Sequence, residues 1–190
     1  MKKIAYLRHG KDERTVLVGV SSEGETVCYK ITADEYSELV FLGLGCELSD
    51  EEFKILFDLD EKHRAMKKAL SLLSYSDKNE RTLFIRLRQA GFSRDAASEA
   101  VRTAVGLGYV DEERQLERLI LAEHSKLSGR RLILGKLCAK GYKSADIERV
   151  TERLCEEGEL DFASSFERLC EKKGAKSHEE RLGLKHKYGY

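Results

Sequence analysis

Arg81-Thr-Leu-Phe-Ile-Arg-Leu-Arg-Gln-Ala-Gly-Phe92 is followed by Arg131-Leu-Ile-Leu-Gly-Lys-Leu-Cys-Ala-Lys-Gly-Tyr142. The two stretches share an arginine start, apolar residues at helical spacing, and a glycine–aromatic ending. Gly91 and Gly141 lie 50 positions apart. So do Gly108-Tyr-Val-Asp111 and Gly158-Glu-Leu-Asp161. Two landmarks with one spacing mark a supersecondary unit used more than once.

Working outward, each copy divides into three helices. Asp60, Asp111 and Asp161 each follow an apolar residue and precede apolar residues three and four apart. An aspartate there predicts a helix N-cap that also suits the positive helix end. Second helices are predicted over about 77–90 and 128–140, ending at Gly91 and Gly141, where glycine fits a left-handed C′ position. The aromatics behind those glycines, Phe92 and Tyr142, are read as packing back on the core rather than as stacking platforms for bases. Third helices follow over about 94–106 and 144–157, closing at Gly108 and Gly158. A third copy begins at Asp161, places a helix over about 177–187, and reaches Gly189-Tyr190 where its third helix would start. Either that repeat is naturally short or the chain is truncated.

The first third reads differently. Ile4–Leu7, Thr15–Val20 and Thr26–Ile31 are β-prone runs separated by polar segments, Arg8–Arg14 and Ser21–Glu25. They predict a small antiparallel sheet that must pack on something to be stable. Thr32-Ala-Asp-Glu35 and Ser49-Asp-Glu-Glu52 are capping-box patterns. They predict a helix to about Leu42, ending at Gly43 or Gly45, and another from Ser49 towards Leu59. The expected organisation is a β-rich segment with a short helix (1–48), a linker helix with repeat 1 (49–110), repeat 2 (111–160) and an incomplete repeat 3 (161–190). The fold class is mainly α: tandem three-helix repeats behind a small β-rich N-terminal segment.

Composition agrees. The chain has 190 residues, 41% hydrophobic, enough for a core, and 36% charged with no proline or tryptophan, which favours helices. The 34 basic and 34 acidic residues cancel, so bulk charge implies no nucleic-acid partner. Cys28, Cys46, Cys138, Cys155 and Cys170 are scattered and form no C-x-x-C pair, against a disulfide framework or zinc site. They are read as small core residues of a protein kept in the reducing cytoplasm. No apolar run reaches the ~18 residues of a membrane span, and the N-terminus lacks the apolar core of a signal peptide.

The ordered set Tyr75-Ser76, Gly108-Tyr-Val-Asp-Glu112, Gly129-Arg-Arg-Leu-Ile133 and Leu137-Cys-Ala-Lys-Gly-Tyr142 resembles the RecX family. The resemblance covers about residues 60–190 and fits the N-terminal third in outline. It implies a non-enzymatic bacterial regulator, without cofactor or metal, acting on RecA in DNA repair, recombination and the SOS response. Such proteins bind the RecA nucleoprotein filament on single-stranded DNA and usually inhibit its strand exchange and ATP hydrolysis.

Local charge offers candidate contacts. Residues 128–143 carry five bases and no acid; residues 81–94 carry four and no acid; residues 146–161 carry seven acids against two bases. Arg81 matches Arg131 in the repeat, and Arg86 matches Lys136. A stripe of Arg81, Arg86, Arg130, Arg131, Lys136 and Lys140 is the candidate surface for the RecA filament or DNA phosphates. The bland alternative is an ordinary solvated helix face. The helical carboxylates, such as Glu113 and Glu117, are read as solvated beside bases three and four positions away. A direct DNA-binding helical module is the other functional class, though the acidic third helix of repeat 2 is a poor base reader. A monomer is expected, with no membrane partner. Leu7-Arg-His-Gly10 resembles the opening of histidine phosphatases, but no later stretch reads as strand, so it is taken as a strand end and turn.

Overall fold

The computed structural model describes residues 1–11 and 14–190. Residues 12 and 13, part of the polar segment expected between the first two strands, lie outside the described residues. The described residues form nine helices and four strands, so the chain is mainly α with an N-terminal antiparallel sheet. They gather into two compact units: Met1–Ser76 with Leu83–Tyr109, and Asp77–Thr82 with Val110–Tyr190. No helix among the described residues is long and apolar enough to cross a membrane.

The first unit begins with β1 (Lys2–His9), β2 (Thr15–Ser22) and β3 (Glu25–Thr32). The sheet order is β3-β2-β1-β4, where β4 is the two-residue pair Glu47–Leu48 beside Lys2 and Lys3. β4 corrects the expectation that nothing after β3 is a strand. His9 ends β1, as the turn reading of Leu7-Arg-His-Gly10 requires. Val16, Val18 and Val20 alternate inward on β2 and join Ile4, Ile31 and Leu56 in the core. On the other face the Tyr6 ring lies across Gly19, where any Cβ would collide with it.

Both capping boxes form. The first helix, α1 (Ala33–Glu38), has only six residues instead of running to about Leu42. Leu42 is buried in the sheet core and Leu39 and Phe41 pack against it, so burial pulls the chain off the helix axis. The helices expected on either side of Asp60 are one helix, α2 (Asp50–Tyr75). No glycine or proline interrupts that range, so nothing breaks it. Asp60 is therefore buried in mid-helix rather than capping it. Its oxygens accept from the Lys30 backbone N–H (2.8 Å) and the Arg64 Nε–H (2.7 Å). Its buried neighbour Glu61 instead caps another helix: it accepts from the backbone N–H and hydroxyl of Ser93, the N-cap of α4 (Arg94–Gly106). Ala65 and Ala69 of α2 and Ala96, Ala97, Ala100 and Ala104 of α4 are all buried, which lets the two backbones approach closely. Between them in sequence runs α3 (Glu80–Gln89).

The second unit holds α5 (Glu112–His124), α6 (Arg130–Ala139) and α7 (Ser144–Glu156) around Leu116, Ile120, Ile133, Leu137, Val150 and Leu154. α8 (Phe162–Lys173) and α9 (His178–Tyr188) follow, with Leu127, Phe166 and Leu169 in a smaller core. Asp111 and Asp161 cap α5 and α8 as expected, accepting from Arg114 N–H and from Ala163 and Ser164 N–H. Gly91 and Gly141 take left-handed conformations (φ 92° and 97°), and the N–H of Phe92 and Tyr142 reaches back to Leu87 and Leu137. Both repeats thus end their second helix in a Schellman motif. Tyr142 is buried, its hydroxyl donating to Gln115 (2.8 Å), in agreement with the core reading. The cysteines do not follow that reading as a set. Cys170 is buried and Cys155 half-buried, but Cys28, Cys46 and Cys138 are exposed, because each lies on the outward face of its strand, turn or helix.

The starts of α3 and α6 are joined to later helix ends in related ways. Asn79 accepts from Thr82 N–H as the cap of α3 and donates its amide to the Lys140 carbonyl at the end of α6 (2.9 Å). The N–H groups of Gly129 and Arg131, at the start of α6, donate to the Tyr188 and Gly189 carbonyls at the end of α9 (2.7 and 2.9 Å). A Cβ on Gly129 would lie 2.5 Å from the Gly189 carbonyl. Close by, Glu123 of α5 accepts from Lys126 (2.7 Å) and from Lys136 of α6 (2.5 Å). Hydrogen bonds from Lys126 and Lys136 hold its carboxyl down at about 2, against an ordinary 4.5.

Two outcomes follow. Gly129→Ala overfills the contact with Gly189 and lowers stability by about 1–3 kcal/mol in urea melts. Because the folded-state pKa of Glu123 is depressed, its stabilisation is complete above pH ~4.5 and vanishes as pH falls towards ~2. Glu123→Gln therefore loses less stability than the parent when the melts are repeated from pH ~5 down to pH ~2.5.

Candidate functional site

All six basic candidates are exposed. Arg81 opens α3 within the second unit, whereas Arg86, further along the same helix, belongs to the first. Arg130, Arg131 and Lys136 lie on α6, and Lys140 is its C-cap. Lys136 and Lys140 are one turn apart and share a face; Arg131, five positions before Lys136, points about 140° away from it. The α6 candidates are thus two groups, one at the helix start and one along its later face.

The joint between α3 and α6 does bring two candidates together. The Lys140 carbonyl receives the Asn79 amide, and a Cβ on the adjoining Gly141 would sit 3.3 Å from Arg81 Cδ. Beside this joint opens a cavity of about 450 Å³ whose walls include Asn79, Gln115, Arg118, Lys140 and Tyr142. Arg118 is held there by Asp77. The gathering arises because the Schellman turn at Gly141 projects against the cap residue that starts α3.

Partners inside the protein separate the candidates. Arg130 donates to Glu152 of α7 (2.8 Å) and Lys136 to Glu123 of α5. Among the described residues Arg81, Arg131 and Lys140 make no ion pair, and Arg86 bonds only to neutral Gln89. Glu113 and Glu117 of α5 stay partly solvated, but their ion pairs are with another helix rather than with bases of their own. Glu113 meets Arg149 and Arg153 of α7, and Glu117 meets Arg153. These pairs raise both arginine pKa values, chiefly through the hydrogen bonds that Arg149 donates to Glu113 and Arg153 donates to Glu117. The basic residues of the acidic third segment are thus turned inward to α5. Sequence reading missed Asn79 and Glu123, which position the candidates. Asn79 had a visible signal, an asparagine three residues before the first apolar turn. For Glu123 only Lys126, three positions along, was visible, since its other partner Lys136 is thirteen residues away across a turn.

Among the described residues no cluster of three or more His, Cys, Asp or Glu side chains is placed to hold a metal ion. His63 bonds to Glu35 (2.7 Å), and His124 meets the Ser165 hydroxyl (2.7 Å) and packs edge-on to Phe162. The arrangement offers charge and shape to a partner.

No family model matches the chain. Its fold is similar to a crystal structure of regulatory protein RecX, with a TM-score of 0.70 at 15% identity, covering 100% of this chain and 93% of that one. It is also similar to the crystal structure of RecX from Lactobacillus salivarius, with a TM-score of 0.55 at 17% identity over 68% of this chain and 86% of that one. Those identities speak to fold alone. The sequence is 32% identical over 184 residues to the regulatory protein RecX of Caldanaerobacter subterraneus subsp. tengcongensis, covering 95% of this chain and 88% of that protein. With identity at that level along nearly its whole length, the chain belongs to the RecX family of regulatory proteins.

Proposed function

We propose that the chain regulates RecA by binding its filament on single-stranded DNA and lowering strand exchange and ATP hydrolysis, as part of the cell's DNA-repair response. The observation that carries this reading is the 32% identity to a regulatory RecX protein across 95% of the chain. The four-part division of the sequence (1–48, 49–110, 111–160, 161–190) is kept as the working division, and the protein is taken to act as a cytoplasmic monomer. The contacts proposed are Arg81, Arg86, Arg130, Arg131, Lys136 and Lys140. Arg81, Arg131 and Lys140 are weighted most, because an exposed cation without an internal ion pair has none to break before meeting a partner's carboxylate or phosphate. Arg130 and Lys136 would first have to leave Glu152 and Glu123.

Added at substoichiometric ratio, the protein should inhibit RecA's single-stranded-DNA-dependent ATP hydrolysis while binding DNA weakly by itself. Tight, steeply salt-dependent DNA binding with no effect on RecA would instead make it a DNA-binding helical module. Arg131→Glu combined with Lys140→Gln should raise the concentration for half-inhibition about tenfold, equal to ~1.4 kcal/mol, with an unchanged helical circular dichroism signal. Lys136→Glu is a poorer probe, since it would set two carboxylates together at Glu123.

A further inference from the structure

The first unit carries a groove that the RecA reading does not use. It runs between α2 and the edge strand β3, with a volume of about 550 Å³. Its accessible floor is apolar, with Met66 half-buried and Leu70 exposed by 37%, above the fully buried Ile31. Its rim is cationic, with Arg14, Lys30, Arg64 and Lys67 all exposed. Among the described residues the one acid in the wall, Asp60, is 5% exposed and has both oxygens engaged, by Lys30 N–H and Arg64 Nε–H. His63, also in the wall, is turned to Glu35 at 2.7 Å. The Asp60 carboxylate therefore points inward. Among the described residues, the side chains of Arg14, Lys30 and Lys67 make no ion pair.

Three features narrow what fits. Asp60, His63, Arg64, Lys67 and Leu70 follow the 3–4 spacing of one face of α2, a stripe about 15 Å long at ~1.5 Å per residue. That is an elongated groove, not a pit for a small molecule. Next, the outward N–H groups of β3 at Lys30 and Thr32 are already bonded to the Asp60 and Glu35 carboxylates (2.8 Å each). An incoming strand would find no free donors there, so an occupant must dock through side chains, as an amphipathic helix does. Lastly, among the described residues the wall holds no Phe, Tyr or Trp ring for a base to stack on, its one imidazole, His63, is turned to Glu35, and a sugar-phosphate chain gains nothing from an apolar floor.

We propose that this groove binds a short acidic amphipathic helix of a partner protein. Apolar side chains of the helix cover Met66 and Leu70, and its carboxylates meet Lys30, Arg64, Lys67 and Arg14. The proposal stands on the first unit alone and does not depend on RecA being the partner.

The test uses the full chain and fluorescence anisotropy with three labelled probes: a Leu/Glu amphipathic peptide about fourteen residues (~21 Å) long, the same peptide with Lys for Glu, and an oligo-dT single strand. The expected result is saturable binding of the Leu/Glu peptide alone. Lys67→Glu and Leu70→Ser should each weaken it by about tenfold, one through charge and one through apolar contact. Lys172→Glu, a charge reversal on α8 in the other unit, should leave it unchanged, and all three variants should keep the parent's thermal melt. Absence of saturation would overturn the proposal. So would equal losses in Lys67→Glu and Lys172→Glu, which would indicate only bulk electrostatics. Oligo-dT binding with the same Lys67 dependence would reassign the groove to nucleic acid.

Discussion

The structure depends on satisfying helix ends. An α-helix leaves its first four N–H groups and last four carbonyls without intrahelical partners, and this chain packs nine helices among its described residues. Some ends are closed locally, by Asp111, Asp161 or the glycine turns at Gly91 and Gly141. The others are closed by distant groups. Glu61 closes the start of α4 from mid-α2, Asn79 ties the start of α3 to the end of α6, and the end of α9 accepts the first N–H groups of α6. Each distant closure aligns a helix as well as satisfying it. The repeat is therefore a repeat of connections: the end of a second helix meets the start of the preceding one, twice, within the second unit.

This explains why the two joints differ in chemistry while keeping their place. At α3 the capping residue is a side-chain amide that can both accept from its own helix and donate outward. At α6 the equivalent place is Gly129, which lacks a side chain, so backbone meets backbone at a distance no Cβ would permit. A glycine there costs the helix a side-chain cap, and the incoming carbonyls of Tyr188 and Gly189 replace it. The motif Gly129-Arg-Arg-Leu-Ile133 is thus a docking element whose exposed arginines are held at a fixed helix start.

Local chemistry was legible in the sequence and distant chemistry was not. The 50-residue period, the capping boxes at Thr32 and Ser49, the Asp caps of α5 and α8, and the glycine–aromatic turns all appear as expected, because each acts within a few residues of itself. Asp60 was misleading for the same reason. Its neighbours match those of Asp111 and Asp161, but the edge of β3 supplies a stronger use for its carboxylate, and the unbroken run from Asp50 leaves no helix start to cap. The pairing of Glu113 and Glu117 with α7 was equally hidden, since Arg114 and Arg118 on the same helix offered a nearer answer. For the candidate surface, sequence placed every basic residue on the outside. It could not say which were already spoken for.

That last distinction governs how a protein of zero net charge can still recognise something charged. Part of its charge is consumed at home: Arg149 and Arg153 bridge α5 to α7, Arg130 holds α7, and Lys126 and Lys136 share Glu123. Exposed pairs of this kind contribute little stability each, yet they cancel charge locally and silence those residues towards a partner. On the proposed readings, what is left for a partner is the remainder. Near the α3–α6 joint that remainder is Arg81 and Lys140; at the start of α6 it is Arg131; in the groove of the first unit it is Arg14, Lys30 and Lys67 around an apolar floor. The first two places present charge on fixed helix ends, suited to registering a regular anionic surface, whereas the groove adds apolar contact to charge. A single neutral chain can in this way hold chemically different contact surfaces, because internal pairing decides where its positive charge is left uncancelled.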